Sequence, residues 1–251
     1  GLFFEEECLS FNGKVDPLAS IFYLLSRMEE YTSVDSDSHS RFEGKNSVLF
    51  RFRWNEKASC DLWCEDIINY LLKHRLLSNK GVKPSLSLLP TFDIDNAYAY
   101  KYKGFSRTVL ATLKDLLFGR KKRLIERQRV QTWILKDPYD TFDKISLLKD
   151  KNIDFKLFWL LGDFAKYDRN ISVKNSKQQQ LIKKMSEVAD IGIHPSYKSN
   201  SYEYYLHNEI ERLEAIINKR VHYSRQHFLV LKFPYTYKTL IEQEITDDYS
   251  M

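Results

Sequence analysis

The sequence predicts an α/β protein built from parallel βα units, on three observations. From about residue 85 onward, short apolar runs alternate with amphipathic helical stretches, the pattern of strands joined by crossover helices. The runs end in polar residues of chemical interest: Asp93 and Asp95, Gly162-Asp163, His194, and Arg225 with His227. In parallel βα folds the carboxyl ends of the strands open to solvent above a packed core, and chemistry gathers there.

Taken in order, the elements divide the chain at about residue 84, giving a small α/β appendage over 1–84 and a catalytic-type domain over 85–251. Asp16-Pro17 starts a helix, with Pro at the favoured first position, and Leu18, Phe22, Leu25 and Met28 follow at helical spacing. Thr32 to Ser40 is polar and reads as a loop. Ser47 to Trp54 alternates like a strand, and Asp61 to Leu76 reads as an amphipathic helix. Asn79-Lys80-Gly81 to Pro84 is the linker. A strand over Ser85 to Phe92 ends in Asp93-Ile94-Asp95. Helices then follow on both sides of Gly119 and again from Asp140-Thr141, leading to the apolar run Phe155 to Leu161. Further helices over Gln178 to Val188, Tyr202 to Asn218 and from Tyr235 alternate with strands at Ile191 to Ile193, Val221 to Ser224 and around Ile245.

Composition narrows the function. The chain has 251 residues, 43% hydrophobic and 29% charged, an ordinary globular balance. A net charge of +5 without a basic face interleaved with aromatics argues against nucleic acid. Cys8, Cys60 and Cys64 are too few and too sparse for a disulfide framework, and no further Cys or His stands close enough to make a zinc site with them. No apolar run reaches the ~20 residues of a membrane span. The first seven residues lack the basic-then-apolar order of a signal peptide. The chain as it stands is expected to be soluble and cytoplasmic.

Thr91-Phe92-Asp93-Ile94-Asp95 is the sharpest local signal. Alternate strand residues share a face, so Asp93 and Asp95 point together. Paired carboxylates favour a bound cation or one raised pKa, which suits one of them binding metal while the other takes a proton from water. His194 follows Ile191-Gly192-Ile193, where glycine marks close backbone approach, and a neutral imidazole is a common zinc ligand. His227 lies two residues after Arg225 and in an extended strand would share its face.

These segments resemble a known family. TFDID, IGIHPSYKSN and SRQHFL look like the first three motifs of the NodB-type polysaccharide deacetylases, and most like a branch common in bacterial surface-polysaccharide gene sets. FYLLSRMEEY and DNAYAYKYKGF are similar to the same branch. The resemblance implies a deformed (β/α) barrel, complete or incomplete in these residues, a divalent metal that is often zinc, and hydrolysis of N-acetyl, less often O-acetyl, groups on a surface polysaccharide or its precursor. It makes Asp93 the general base, Asp95 the metal carboxylate, His194 the first metal histidine and Arg225 the residue that orients the base. The family's second histidine, four residues after the first, is here Lys198, so His227 is the best replacement donor, with Ser196, Tyr197 and Asn200 weaker ones. The family's later motifs, including the histidine used as general acid, have no counterpart in these residues.

Tyr197 and Asn200 are the expected substrate contacts, and Tyr197, Tyr202, Tyr204 and Tyr205 offer a stacking surface for sugars. The basic run from Arg120 to Arg129 suggests weak contact with an anionic glycan or lipid headgroups. Two other readings fit the same residues: a non-catalytic glycan- or partner-binding relative, and an amidohydrolase acting on a small cyclic amide.

Overall fold

A computed structural model describes residues 8–32, 35–79, 81 and 85–250. The first seven residues and most of the expected linker lie outside that range. The chain divides into two units, Gly1–Ser87 with Lys232–Pro234, and Leu88–Leu231 with Tyr235–Met251.

In the first unit, β1 (Ser10–Phe11) and β2 (Lys14–Val15) form a short antiparallel hairpin. Helix α1 (Pro17–Leu25) starts where Asp16 caps it, accepting a 3.0 Å bond from the Ala19 N–H. After α2 (Met28–Thr32), the segment expected to be a strand over Ser47 to Trp54 is instead a helical turn, α3 (Val48–Arg51). The Ser47 hydroxyl accepts the Phe50 N–H, and Glu29 accepts the Val48 N–H at 2.8 Å. An isolated strand would leave its backbone groups unpaired, whereas the capped turn satisfies them locally. Val48 and Trp54 are buried, and the Trp54 ring meets Trp63 of α4 (Ser59–Lys73) edge-on at 5.1 Å. Cys8 and Cys60 are half-buried and Cys64 exposed, all as free thiols.

The second unit carries a five-stranded parallel sheet. Its strands are β3 (Thr91–Ile94), β4 (Lys156–Trp159), β5 (Asp190–Ile193), β6 (Tyr223–Ser224) and β7 (Asp247–Asp248), and they stand in the sheet in sequence order. The first strand is later and shorter than Ser85 to Phe92: Pro90 has no N–H to give, and the ladder begins on its carbonyl, which accepts from Lys156. Leu86 and Leu88 lie exposed. Between β3 and β4 stand α5 (Phe105–Leu117), α6 (Lys121–Gln131) and α7 (Phe142–Asp150); α8 (Ser176–Met185), α9 (Glu203–Ile217) and α10 (Tyr235–Glu242) separate the later strands.

The two faces of this sheet differ. Ile94, Leu157, Trp159, Ile191 and Ile193 point to one face and form one core with Phe142 of α7, Met185 of α8, Leu213 of α9 and Leu240 of α10. Phe142 stacks on Trp159 with ring centroids 5.7 Å apart. The alternate residues, among them Asp93, Lys156, Phe158 and Gly192, point to the other face. Gly192 is required there: a Cβ would lie 2.7 Å from the Phe158 ring and 2.8 Å from the Tyr223 carbonyl oxygen. No helix among the described residues is long and apolar enough to cross a membrane.

Candidate metal centre

Parallel pairing brings the carboxyl ends of all five strands to one edge. Asp95 follows β3, His194 follows β5, and Arg225 to His227 follow β6, each held by a continued ladder: the His194 N–H donates to Trp159 and the Arg225 N–H to Ile193. Asp95, His194 and His227 meet there, each offering one ligand-type atom, with those atoms within 4.8 Å of one another. The Asp95 carboxylate lies 3.2 Å from His194 Nε2 and 3.8 Å from His227 Nε2.

His227 does not reach the site along an extended strand. Strand β6 ends at Ser224, and His227 opens a short 3₁₀ turn over His227–Leu229. Its N–H donates to the Pro195 carbonyl, so the loop after His194 places it. Phe228 and Leu229 have φ of 61° and 51°, a left-handed backbone unusual for bulky residues and a local strain on the His227 side of the site.

The outer nitrogen of each ring is committed. His194 Nδ1 stands 2.5 Å from the Arg225 carbonyl oxygen, which can only accept. His227 Nδ1 stands 3.0 Å from the buried Asp168 carboxylate. Both rings therefore carry their proton on Nδ1 when neutral, which turns the Nε2 lone pairs toward the Asp95 oxygen. Three acceptor atoms facing one another repel unless a cation or a proton sits among them, so the donor set fits a divalent ion. With no ion bound and the rings protonated, the His194 Nε2–H donates to Asp95 and holds its carboxyl below the usual range, burial opposes it, and the charges of the two imidazoles add to the lowering.

Sequence reasoning missed Asp168. Besides orienting His227, it accepts the Tyr197 N–H at 2.7 Å and the Lys198 N–H at 3.3 Å, tying the turn after His194 to the same carboxylate. It sits in a loop with no strand-end pattern to mark it. Glu209 was also missed. Buried on α9, it accepts the Ser196 N–H at 2.8 Å, and its carboxyl is pushed up to about 7, first by burial, against the Ser196 hydrogen bonds and with the Asp168 charge adding.

Asp93 lies beside the triad on the same face of β3. Arg225 Nη1 donates to its carboxylate at 3.0 Å, Nη2 to the Thr91 hydroxyl at 2.8 Å, and Nε to the Tyr249 carbonyl at 2.9 Å. The guanidinium also lies 4.8 Å from the Phe158 ring centroid. In a flat sheet, β6 and β3 would be about 14 Å apart, beyond the reach of one side chain. The Arg225–Asp93 pair therefore records a strongly curled sheet with this face concave.

The remaining expected positions are less central. Lys198 is exposed, with its ammonium over the Tyr205 ring at 4.3 Å. Tyr197 packs on Tyr167 and Phe228, with centroids at 4.4 and 5.4 Å. Asn200 turns its amide back onto the carbonyls of Ser196 and Tyr197, so its N–H donors serve the turn. Tyr202 and Tyr204 are exposed, and each meets Tyr205 edge-on.

Among known proteins, a family of unknown function, DUF7033, matches residues 2–76, within the first unit. No curated protein and no solved structure matches the chain.

Proposed function

We propose that the second unit is a metal-dependent deacetylase of the NodB type, acting on N-acetyl groups of a bacterial surface glycan or its precursor. The observation that carries the reading is the meeting of Asp95, His194 and His227 beside an Asp93–Arg225 pair at the strand ends. The sheet supports a barrel wall. The strands are parallel and in sequence order, and crossovers of the right-handed kind that such units follow place helices on one face and curl the sheet around the other.

Asp95, His194 and His227 are the residues that would hold the ion. Zinc suits one carboxylate and two imidazoles, and when bound it supplies Lewis acidity to water and to the substrate carbonyl. Asp93 accepts the proton of the attacking water. Arg225 aims Asp93 through a charge-assisted hydrogen bond. Asp168 keeps His227 in the ligating tautomer, as the Arg225 carbonyl does for His194. In the overall reaction the amide C–N bond breaks, the hydroxyl of water ends on the acetyl carbon, and the amine leaves with a proton.

The test is metal analysis of the purified protein, followed by acetate release from acetylated glucosamine oligomers with and without chelator. The expected result is bound zinc or a related ion and chelator-sensitive acetate release. Glycan binding without acetate release, with or without metal, would overturn the enzymatic reading in favour of a binding role.

A further inference from the structure

Beside the triad lies a cavity of about 600 Å³ whose wall carries six cations, Lys103, Arg107, Lys114, Arg123, Arg127 and Arg169, and no carboxylate. Like charges gathered around one space repel, and a folded chain tolerates them best where an anion is to be received.

The charges are positioned more than they are neutralised. Arg107 is held by neutral partners alone among the described residues: it donates to the carbonyls of Arg169 and Asn170, each at 2.9 Å, and lies 4.2 Å from the Phe164 ring centroid. Lys103 is half-buried, and burial, with Arg107 nearby, lowers its ammonium to about 8. Behind the wall the buried Asp115 carboxylate is shared by three guanidiniums: Arg127 at 2.5 Å, Arg120 at 3.5 Å and Arg123 at 3.8 Å. Asp115, with Asp137 near Lys103 and Glu126 bonded to the Tyr100 hydroxyl, makes three carboxylates against the six cations of the wall, so net positive charge faces the cavity.

The cavity adjoins the candidate centre. Asn96 and Tyr139 line both it and the cavity that holds Asp93 and Asp95. Asp137 fixes this shared wall, accepting the N–H groups of Ala99, Tyr100, Lys101 and Tyr139. Asn96 Oδ1 is sealed from solvent and has no hydrogen-bond partner among the described residues.

We propose that this cavity holds the diphosphate of an N-acetyl sugar diphosphate, presenting the acetamide to the Asp93–Asp95 side across Asn96 and Tyr139. A compact group of several negative charges matches a ring of cations better than one uronate carboxylate does, and the arginine fork matches phosphate oxygens in pairs. The aromatic and apolar part of the wall, Tyr100, Tyr139, Phe164 and Leu110, suits the sugar and its carrier. The inference rests on the deacetylase reading for the acetyl group and makes the substrate an activated precursor in place of a finished neutral polymer.

The test is calorimetric binding of inorganic pyrophosphate to the full chain, compared with inorganic phosphate and with a polyuronate. Pyrophosphate is expected to bind most tightly, and the double variant Lys103→Gln, Arg123→Gln to bind it about tenfold more weakly or worse, as two lost charge-assisted contacts require. A charge-matched pair on the far helices, Lys144→Gln with Lys183→Gln, is expected to bind as the unaltered chain does. Equal affinity for all three anions, or equal loss in both double variants, would overturn the site. A soluble uridine diphosphate N-acetyl sugar and a polyprenyl diphosphate N-acetyl sugar in vesicles then distinguish the two sources of the same group by which one releases acetate. Pyrophosphate binding without acetate release from any substrate leaves the anion site standing and removes the deacetylase reading. Acetate release that is equal for neutral oligomers and sugar diphosphates, and unchanged in the Lys103/Arg123 variant, removes the anion site alone.

Discussion

Asp168 and Glu209 bear on the candidate centre without ligating it, and each can be separated by a substitution that keeps its shape. Asp168→Asn keeps an acceptor for the Tyr197 N–H but loses the charge that steadies the Nδ1 proton of His227. Outer partners of metal histidines are worth about 10–100-fold in affinity. A loss of that size is expected in a zinc competition titration, and unchanged affinity would show that His227 is held well enough by its turn. Glu209 offers a pH test. Its carboxyl, ordinarily near 4.5, is pushed up to about 7, chiefly by burial. Between those values the folded chain keeps a proton that the unfolded chain has released, so this group's contribution falls as pH rises through the window and is flat above it. The slope is at most about 1.4 kcal/mol per pH unit. Glu209→Gln retains an acceptor for Ser196 and is expected to flatten urea-denaturation stability between pH 4.5 and 7 relative to the unaltered chain. An equal slope in both would place the effect elsewhere.

At the scale of elements, legibility in the sequence followed how local the determining physics is. Helix α1 was readable because Asp16 and Pro17 act within one turn. The alternation of strand and helix after residue 85 was readable because a strand packed on both faces demands a continuous apolar run, as the buried stretch from Leu157 to Leu161 supplies. Two readings failed for want of a neighbour. Ser47 to Trp54 has strand periodicity, but its backbone is satisfied by Ser47 and by Glu29, eighteen residues or more away from most of the pattern, and periodicity carries no such information. Ser85 to Pro90 carries three leucines, yet no strand among the described residues pairs with it before the Pro90 carbonyl. Within the candidate centre, strand-end residues were legible and Asp168 was not, because a loop carboxylate acquires its role only through a partner 59 positions away. The glycine between Ile191 and Ile193 was legible as a close approach, and it gives an element-scale test. Gly192→Ala places a methyl against the Phe158 ring and the Tyr223 carbonyl, with no flexible side chain on the carbonyl side to give way. Overpacking of this kind costs about 1–3 kcal/mol. Thermal unfolding is expected to show that loss, and a neutral variant would mean that β5 and β6 separate more easily than their spacing implies.

For the molecule as a whole, Arg225 joins the curl of the sheet to the chemistry at its rim. Its side chain crosses the concave face to Asp93 and Thr91 of β3, lies against Phe158 of β4 and reaches the Tyr249 carbonyl after β7, so one guanidinium holds strands from both ends of the sheet. Its carbonyl oxygen meets His194 Nδ1. The two roles belong to different atoms, and substitution separates them, because the main-chain carbonyl survives any change of side chain. In Arg225→Ala, His194 keeps its anchor and Asp95, His194 and His227 keep their positions, while Asp93 loses the cation that aims it. Zinc affinity is therefore expected to stay within a few-fold, with stability lower by about 2 kcal/mol for the lost charge-assisted bonds. Acetate release is expected to drop by about 10²-fold or more, the scale of a positioned general base. Arg225→Lys restores one charge without the fork, so it can pair with Asp93 or with Thr91 but not both, and intermediate turnover is expected. A variant that loses zinc together with turnover would mean that the curl itself holds the triad in place, and the guanidinium would then be a structural staple of the sheet with no separate part in aiming the base.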